Sequence, residues 1–224
     1  MNSLLKRQSP IQHLFDPTVG QWGELAQAAV VLAFDSEEVE SRALQTLALC
    51  DVSALPKLGI KGPAAANWLQ SQGVTLPEGI YRTRKQSDGS LVVRLSDNEF
   101  LLQEGFVSQT IQTLSELLGW GQEGIARVER QEASFLLAGS RALNVLAQTC
   151  AIDFRQAPHD RMVMTRIAGI SCRVLPTETE SKARYQIGVD ATYAVSLWES
   201  LMTICQELEG RAIGTAIFTA RGTI

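Results

Sequence analysis

Two stretches decide the fold: Lys57–Leu69, which is KLGIKGPAAANWL, and Phe135–Leu146, which is FLLAGSRALNVL. Each begins with an apolar run typical of a strand, passes through a glycine, and continues with apolar residues at helical spacing. The two stretches align with Gly62 on Gly139. Because glycine adopts backbone conformations closed to other residues, each glycine can end a strand and turn the chain sharply into a helix. The alignment predicts an internal duplication.

The residues after each stretch predict the same further elements. Ser87-Asp88-Gly89 is a turn pattern between two strand candidates, and a third strand and a helix follow. In the first copy the predicted elements are strands Tyr81–Lys85, Leu91–Leu95 and Glu99–Leu102 and a helix over Val107–Leu118. In the second copy, Val189–Val195 aligns with Ser96–Leu102, which places Asp190 on Asp97, and a helix over Val195–Leu208 follows.

This order predicts an α+β fold of two pseudo-repeated βαβββα lobes, with largely antiparallel sheets and helices on one face. The predicted boundaries are residues 1–48 for an N-terminal arm and helix, 49–124 for the first lobe and 125–224 for the second. The three parts are expected to form one compact unit. Ser36 before Glu37 and Glu38 predicts the start of the helix in the N-terminal part.

Composition and charge exclude several classes of partner. The formal net charge is −4 and no basic run occurs, which argues against nucleic acid. The longest strongly apolar stretch, residues 28–34, is far shorter than the roughly 20 residues of a membrane-spanning helix. No apolar segment of signal-peptide length occurs near the N-terminus. We therefore expect a cytoplasmic protein that does not enter a membrane.

Catalytic, cofactor and metal sites are not predicted from the residues. The patterns G-x-x-x-x-G-K-[ST] and G-x-S-x-G do not occur in the sequence. The four cysteines are scattered singly, and the two histidines, His13 and His159, have no metal-ligand spacing. An acid–base role for His159 is an alternative to an exposed loop position.

Contact with a protein partner is the kind of site that the residues favour. The second copy is longer than the first, and the excess centres on residues 152–161, which combine an aromatic residue with two arginines. A second candidate is Trp22, which precedes the repeats and has no predicted place in a core. Trp120 is a similar lone tryptophan. The predicted contacts are Trp22, Phe154, Arg155, His159 and Arg161. A solvent-exposed loop without a partner is the alternative.

The ordered segments resemble a known family. Asp51-Val52-Ser53 followed by Leu58–Leu69 is similar to the opening of the folate-binding fold of the glycine-cleavage T protein, an aminomethyltransferase. Residues Val163–Ile170, Tyr185–Trp198 and Leu95–Leu102 are more similar to the gamma subunits of heterotetrameric sarcosine oxidases. The resemblance runs from about residue 47 to residue 214.

The sequence departs from the aminomethyltransferase pattern in two ways that argue against that enzyme's activity. Those enzymes carry an Asn-x-x-Gly-Gly-Ile-x-Asp-Asp segment that supplies a carboxylate at the pterin, whereas the corresponding stretch Tyr81–Ser90 has one acid, Asp88. The chain is also shorter than a complete aminomethyltransferase, and we expect it to lack the C-terminal barrel.

The resemblance to the gamma subunits implies a non-catalytic accessory subunit without activity of its own. The resemblance also implies that the chain carries no cofactor. The flavin and folate would belong to larger amine-oxidising flavoprotein subunits. A stand-alone folate-binding or aminomethyltransferase-like one-carbon protein is the alternative, and an orphan scaffold is a further one. Self-association of the isolated chain stays open.

Overall fold

The structure is a computed structural model, and it describes residues 7–179 and 182–219. Over these residues the strands are β1 (Arg7–Gln8), β2 (Gln21–Leu25), β3 (Ala28–Ala33), β4 (Ala48–Asp51), β5 (Lys57–Lys61), β6 (Thr83–Lys85), β7 (Leu91–Ser96), β8 (Glu99–Gln103), β9 (Gly121–Gln122), β10 (Ile125–Val128), β11 (Glu132–Ala138), β12 (Val163–Ile167), β13 (Ile170–Thr179), β14 (Lys182–Asp190) and β15 (Arg211–Ala212). The helices are α1 (Glu37–Thr46), α2 (Ala65–Ser71), α3 (Thr110–Leu118), α4 (Ala142–Thr149), α5 (Ala194–Glu207) and α6 (Ala216–Thr219). Short 3-10 helices cover Gln12–Leu14, Phe154–Gln156 and Ala191–Tyr193.

The helix starts predicted after Ser36, Gly62 and Gly139 are confirmed, and each has a local cause. The hydroxyl of Ser36 accepts a hydrogen bond from the Val39 N–H at the start of α1. Gly62 and Gly139 have φ values of +137° and +108°, and α2 and α4 each begin three residues later. Such φ values are readily available to glycine alone, which is why both copies turn from strand to helix at this residue type.

The chain divides into two compact units. Unit 1 contains residues 7–54, 132–159 and 163–219 among those described, and unit 2 contains Leu55–Gln131 and Asp160–Met162. Unit 2 holds an antiparallel six-stranded sheet in the order β6-β7-β8-β5-β10-β9. Unit 1 holds a six-stranded sheet in the order β12-β13-β14-β11-β4-β15 and a three-stranded sheet in the order β1-β3-β2.

The predicted duplication is confirmed by strand order. In unit 2 the succession β5-α2-β6-β7-β8-α3 forms a sheet core ordered β6-β7-β8-β5. In unit 1 the succession β11-α4-β12-β13-β14-α5 forms a sheet core ordered β12-β13-β14-β11. Each unit is therefore one copy of the repeat with its own sheet.

The predicted equivalence of Asp97 and Asp190 is wrong. In register, Ile60 is opposite Phe100, and its counterpart Leu137 is opposite Tyr185. Asp97 therefore precedes β8 in a hairpin turn, whereas Asp190 ends β14 and accepts a hydrogen bond from the Thr192 N–H. The apolar alternation of a strand repeats every two residues, so the pattern alone cannot decide between registers.

The sheets also place the boundaries between the units differently from the prediction. β4 pairs with β11, so residues up to Ala54 belong to unit 1. β10 pairs with β5, so residues up to Gln131 belong to unit 2. The boundaries expected at residues 49 and 125 thus lie at 55 and 132, and the N-terminal part is integrated into unit 1. Sheet pairing between residues distant in sequence decides these limits.

Each six-stranded sheet buries one face under two helices. In unit 2, α2 and α3 cover an apolar cluster of Leu58, Ile60, Ala65, Leu69, Phe100, Leu102, Ile111, Leu114 and Leu118. In unit 1, α4 and α5 cover a larger cluster that includes Leu49, Phe135, Leu137, Val145, Leu146, Val174, Tyr185, Ile187, Leu197, Trp198 and Leu201. Among the described residues, no helix has the length and apolarity needed to span a membrane.

Candidate functional site

Phe154, a predicted partner contact, is a core residue. It lies in the 3-10 helix after α4, and only 3% of its surface is exposed. Its ring packs edge-on against Tyr185, with the ring centroids 5.6 Å apart. Phe154 is therefore not available to a partner, which corrects the prediction. The residues around it had suggested an exposed loop because a short 3-10 helix leaves no apolar periodicity in the sequence.

Arg155, the next residue, is exposed and held in place. Its Nε donates to Asp153 Oδ1 at 2.8 Å, and its Nη2 donates to Asp153 Oδ2 at 2.7 Å. The side-chain hydrogen bond from Arg155 is the main reason that the pKa of Asp153 is lowered. The pair forms a pre-oriented bidentate contact at the surface of unit 1.

A concave groove lies beside this ion pair. It has a cavity volume of about 330 Å³. The residues that line it include Leu143, Asn144, Ala147, Cys150, Ile152 and Arg155. We call this surface the α4 groove. It combines an apolar floor with a fixed charged pair, and a protein segment or a small molecule could occupy it.

The next two predicted contacts, His159 and Arg161, belong to different units. His159 is exposed and belongs to unit 1, whereas Arg161 is exposed and belongs to unit 2, where it is opposite Arg82 in an isolated antiparallel bridge. The Arg82 guanidinium forms an ion pair with Asp160 in the same unit. The extra residues of the second copy thus contribute to both units.

Trp22 lies on β2, and the nitrogen of its indole ring is on the buried side of the residue. Its Nε1 is buried and has no hydrogen-bond partner among the described residues, and the same holds for Gln12 Oε1. Both side chains line a cavity of about 20 Å³ together with Ser9 and Asp51. That volume accommodates a water-sized molecule able to bond a donor and an acceptor. The indole nitrogen is therefore not an exposed contact for a partner.

A buried polar face of the unit 1 sheet was not foreseen. Arg173 on β13 is 7% exposed, and its Nη1 lies 2.8 Å from Oε2 of Glu132 on β11. The N–H groups are not aligned with that oxygen as a hydrogen bond requires, so the contact is an ion pair. β14 lies between these two strands, and Gly188 on β14 is opposite Arg173 on one side and Ser134 on the other.

Further polar residues share this face. Arg184 and Gln186 on β14 alternate with Gly188 toward the same side, and both are buried. The Arg184 guanidinium lies 5.6 Å from the centroid of the Phe218 ring. In the sequence, this face is marked only by Arg173 within an apolar strand and by Gly188 two residues after Gln186. Both patterns are too common to indicate a site on their own.

Asp88, the acid in the stretch that corresponds to the pterin-binding segment, is committed to its own turn. Its Oδ1 accepts from the Ser90 N–H at 2.9 Å and from the Ser90 hydroxyl at 2.7 Å, and its Oδ2 accepts from the Thr110 hydroxyl. Partial burial alone would raise the pKa of Asp88, but these hydrogen bonds outweigh burial and lower it. Both oxygens of this carboxylate are thus engaged in hydrogen bonds within unit 2.

A family comparison identifies the fold. The family model described as the GCVT N-terminal domain matches residues 80–221, more than half of the chain. The chain belongs to the GCVT N-terminal domain family. This membership confirms the resemblance to the glycine-cleavage T protein superfamily.

Curated relatives of this GCVT-family chain are aminomethyltransferases. The enzyme of Thermoanaerobacter sp. (strain X514) is 24% identical over 219 residues, which cover 90% of this chain and 59% of the enzyme. The enzyme of Moorella thermoacetica is 22% identical over 183 residues, which cover 76% of this chain and 50% of the enzyme. The chain thus spans half to three-fifths of the length of these relatives.

Solved structures show the same fold. The aminomethyltransferase T of the glycine cleavage system from Bartonella henselae has a TM-score of 0.72 at 16% identity, with 94% of this chain and 60% of that chain covered. A chain of heterotetrameric sarcosine oxidase from Corynebacterium sp. U-96, solved in complex with pyrrole 2-carboxylate, has a TM-score of 0.64 at 21% identity. This second match covers 91% of the GCVT-family chain and 97% of the sarcosine oxidase chain.

Proposed function

We propose that the chain is a non-catalytic accessory subunit of an amine-oxidising complex, with flavin and folate on larger partner subunits. The observation that carries the proposal is the extent of the match to heterotetrameric sarcosine oxidase, since nearly the whole of both chains corresponds. By contrast, 60% of the aminomethyltransferase chain is covered. The proposal keeps the cytoplasmic location predicted from the sequence.

The role of Asp88 supports an accessory function over a folate-binding one. The carboxylate that the resemblance would assign to a pterin is instead bonded to Ser90 and Thr110. A ligand that used this carboxylate would have to displace hydrogen bonds that already stabilise its charged form.

The partner contacts in this proposal are Arg155, His159 and Arg161, which the structure leaves exposed. Arg155 stands at the α4 groove in a fixed orientation because Asp153 holds its guanidinium. A partner carboxylate or backbone carbonyl near the groove could accept from the guanidinium at low entropic cost. Phe154 is removed from the predicted contacts because it is buried in unit 1. Trp22 is partly exposed, and only its indole nitrogen is buried.

The proposal is tested by isolating the tagged chain from native extract of its host. We expect large subunits to co-purify with it in fixed stoichiometry and to show flavin absorbance. The variant with Arg155→Ala and Arg161→Ala should reduce their recovery. Arg42→Ala is the matched control, because Arg42 is also an exposed arginine in an ion pair, on α1. Recovery of the chain without any flavoprotein would contradict the accessory role.

A stand-alone folate-binding or aminomethyltransferase-like protein is the second candidate. The aminomethyltransferase relatives, which align over 90% of the chain in one case, favour it. Calorimetric titration of the purified chain with tetrahydrofolate distinguishes the two candidates. A stoichiometric complex of micromolar affinity would support the second, and an orphan scaffold would bind neither folate nor a flavoprotein.

A further inference from the structure

Trp120 is an exposed tryptophan in a constrained position of unit 2. It is 93% exposed, and Leu117, three residues earlier on α3, is 60% exposed. Tryptophan is enriched at the energetic centres of protein interfaces. An indole and a leucine side chain left in water on one short segment form an apolar projection that a partner can bury.

The backbone on both sides of Trp120 is held. Gly119 ends α3 at a φ of +57° and donates its N–H to Ser115 O at 3.1 Å. Gly121 has a φ of +126° and is opposite Ala126 in β10, and a Cβ on it would lie 2.8 Å from Ile125 O. The hydrogen bond of Gly119 and the pairing of Gly121 with Ala126 fix the turn that exposes Trp120, and glycine supplies the positive φ that the turn needs. A pre-organised projection loses little conformational entropy when it binds.

The charge around this projection restricts what can cover it. Residues 95–126 contain five acidic residues and no lysine or arginine. Of these acids, Glu116 and Glu123 are exposed and lie four residues before and three residues after Trp120. The nearest basic residue along the chain, Arg127, is bonded to Glu129 and to the Ser115 hydroxyl. Across the sheet, the exposed Lys61 on β5 is opposite Ala126 and pairs with Glu99 at 3.9 Å. A two-fold contact with a second copy would place these acids against themselves, which is unfavourable.

We propose that Trp120 and Leu117 insert into an apolar socket rimmed by lysine or arginine on the large flavoprotein subunit of the complex. The proposal rests on the accessory role above and identifies the partner surface by its chemistry. Glu116 and Glu123 meet the basic rim, and the indole fills the socket. The contact lies on unit 2, whereas the α4 groove lies on unit 1.

The test compares Trp120→Ala, the double variant Glu116→Lys with Glu123→Lys, and the wild-type chain. Each is titrated against the flavoprotein subunit that co-purifies with the wild-type chain, and binding is followed by biolayer interferometry at two salt concentrations. Trp120→Ala should weaken binding by about 30-fold or more. The charge reversal should slow association and reduce its dependence on salt. Tyr193→Ala, at an aromatic residue that is 56% exposed in unit 1, should change neither quantity.

The outcomes separate this inference from the proposed function. Wild-type affinity for Trp120→Ala would overturn the socket and leave the accessory role standing. A wild-type chain that binds no flavoprotein would overturn both. If sedimentation shows that the isolated chain self-associates and Trp120→Ala abolishes this, a second copy covers the surface and the inference is wrong. The melting temperature of each variant confirms folding, since truncating an exposed side chain should leave it unchanged.

Discussion

The guanidinium of Arg173 occupies the space that a side chain at Gly188 would need. A Cβ on Gly188 would lie 1.7 Å from Arg173 Nη1 and 2.3 Å from its Cζ. Arginine therefore crosses β14 to reach Glu132 on β11 because the strand between them has no side chain at that point.

Unit 2 contains a comparable arrangement at a different place in its sheet. A Cβ on Gly59 would lie 2.9 Å from Arg130 Nε, and Arg130 Nη2 donates to Glu99 Oε1 at 2.8 Å. In both units a strand glycine makes room for an arginine that pairs with a glutamate.

Gly188→Ala is expected to lower the free energy of unfolding by about 2–4 kcal/mol. The added methyl group would expel the buried guanidinium and break its ion pair with Glu132. Gly79→Ala is the control, because a Cβ there would lie 3.3 Å from Cγ of the flexible Arg82 and should cost little. Urea unfolding of both variants measures the difference. A loss below about 1 kcal/mol for Gly188→Ala would show that Arg173 can relocate freely.

The strand-to-helix glycines should resist substitution more than a glycine of similar backbone conformation in open space. Gly139 has a φ of +108°, and a Cβ on it would lie 2.5 Å from Thr46 O. Gly139→Ala therefore combines backbone strain with a clash against fixed backbone, and we expect a loss of about 3 kcal/mol or more. Gly73 has a φ of +81° with no atom within 4 Å of a Cβ, so Gly73→Ala should cost about 1–2 kcal/mol. Equal losses in thermal or urea unfolding would mean that the clash with Thr46 is relieved.

Phe154→Ala should destabilise unit 1 by about 3–5 kcal/mol, since the variant leaves a cavity against Tyr185. This reverses the expectation from the sequence, in which Phe154 was a surface contact for a partner. Arg155→Ala should change stability by no more than about 0.5 kcal/mol, because its ion pair with Asp153 is exposed. Thermal unfolding of the two single variants checks both values, and a stable Phe154→Ala protein would refute the core assignment.

One thiol of the four should react in the native protein. Burial raises the pKa of Cys172 to about 11 and that of Cys205 to about 12, and it raises the pKa of Cys50 well above its ordinary value. At pH 8 these three are thiols, which are poor nucleophiles. Cys150 lines the α4 groove and is partly exposed. A disulfide reagent should therefore modify one equivalent in the native state and four after denaturation, and Cys150→Ser should abolish the native reaction. Rapid native modification of two or more thiols would contradict the burial of the others.

Sequence reasoning predicted the elements whose signals are local. The turn at Ser87-Asp88-Gly89 joins β6 and β7, the cap at Ser36 starts α1, and Gly62 and Gly139 precede matching helices. It did not predict β1, β9 or β15, because strands of two residues exist through pairing with a neighbour and have no periodicity of their own. The candidate site was predicted less well. Arg155 is exposed beside a groove, as a contact residue would be. Phe154, the aromatic residue next to it, points into the core.

What the sequence determined by itself is the repeated order of strands and helices, since apolar spacing, turn residues and glycine positions act over a few neighbouring residues. Tertiary structure decided which strands share a sheet and in what register. β4 joins the sheet of the second copy through β11, and β10 joins that of the first through β5. The same holds for the passage of Arg173 over Gly188 to Glu132, which joins the β13–β14 hairpin to β11, a strand remote from it along the chain. Such contacts depend on backbone hydrogen bonds and packing between remote segments, and no local pattern encodes them.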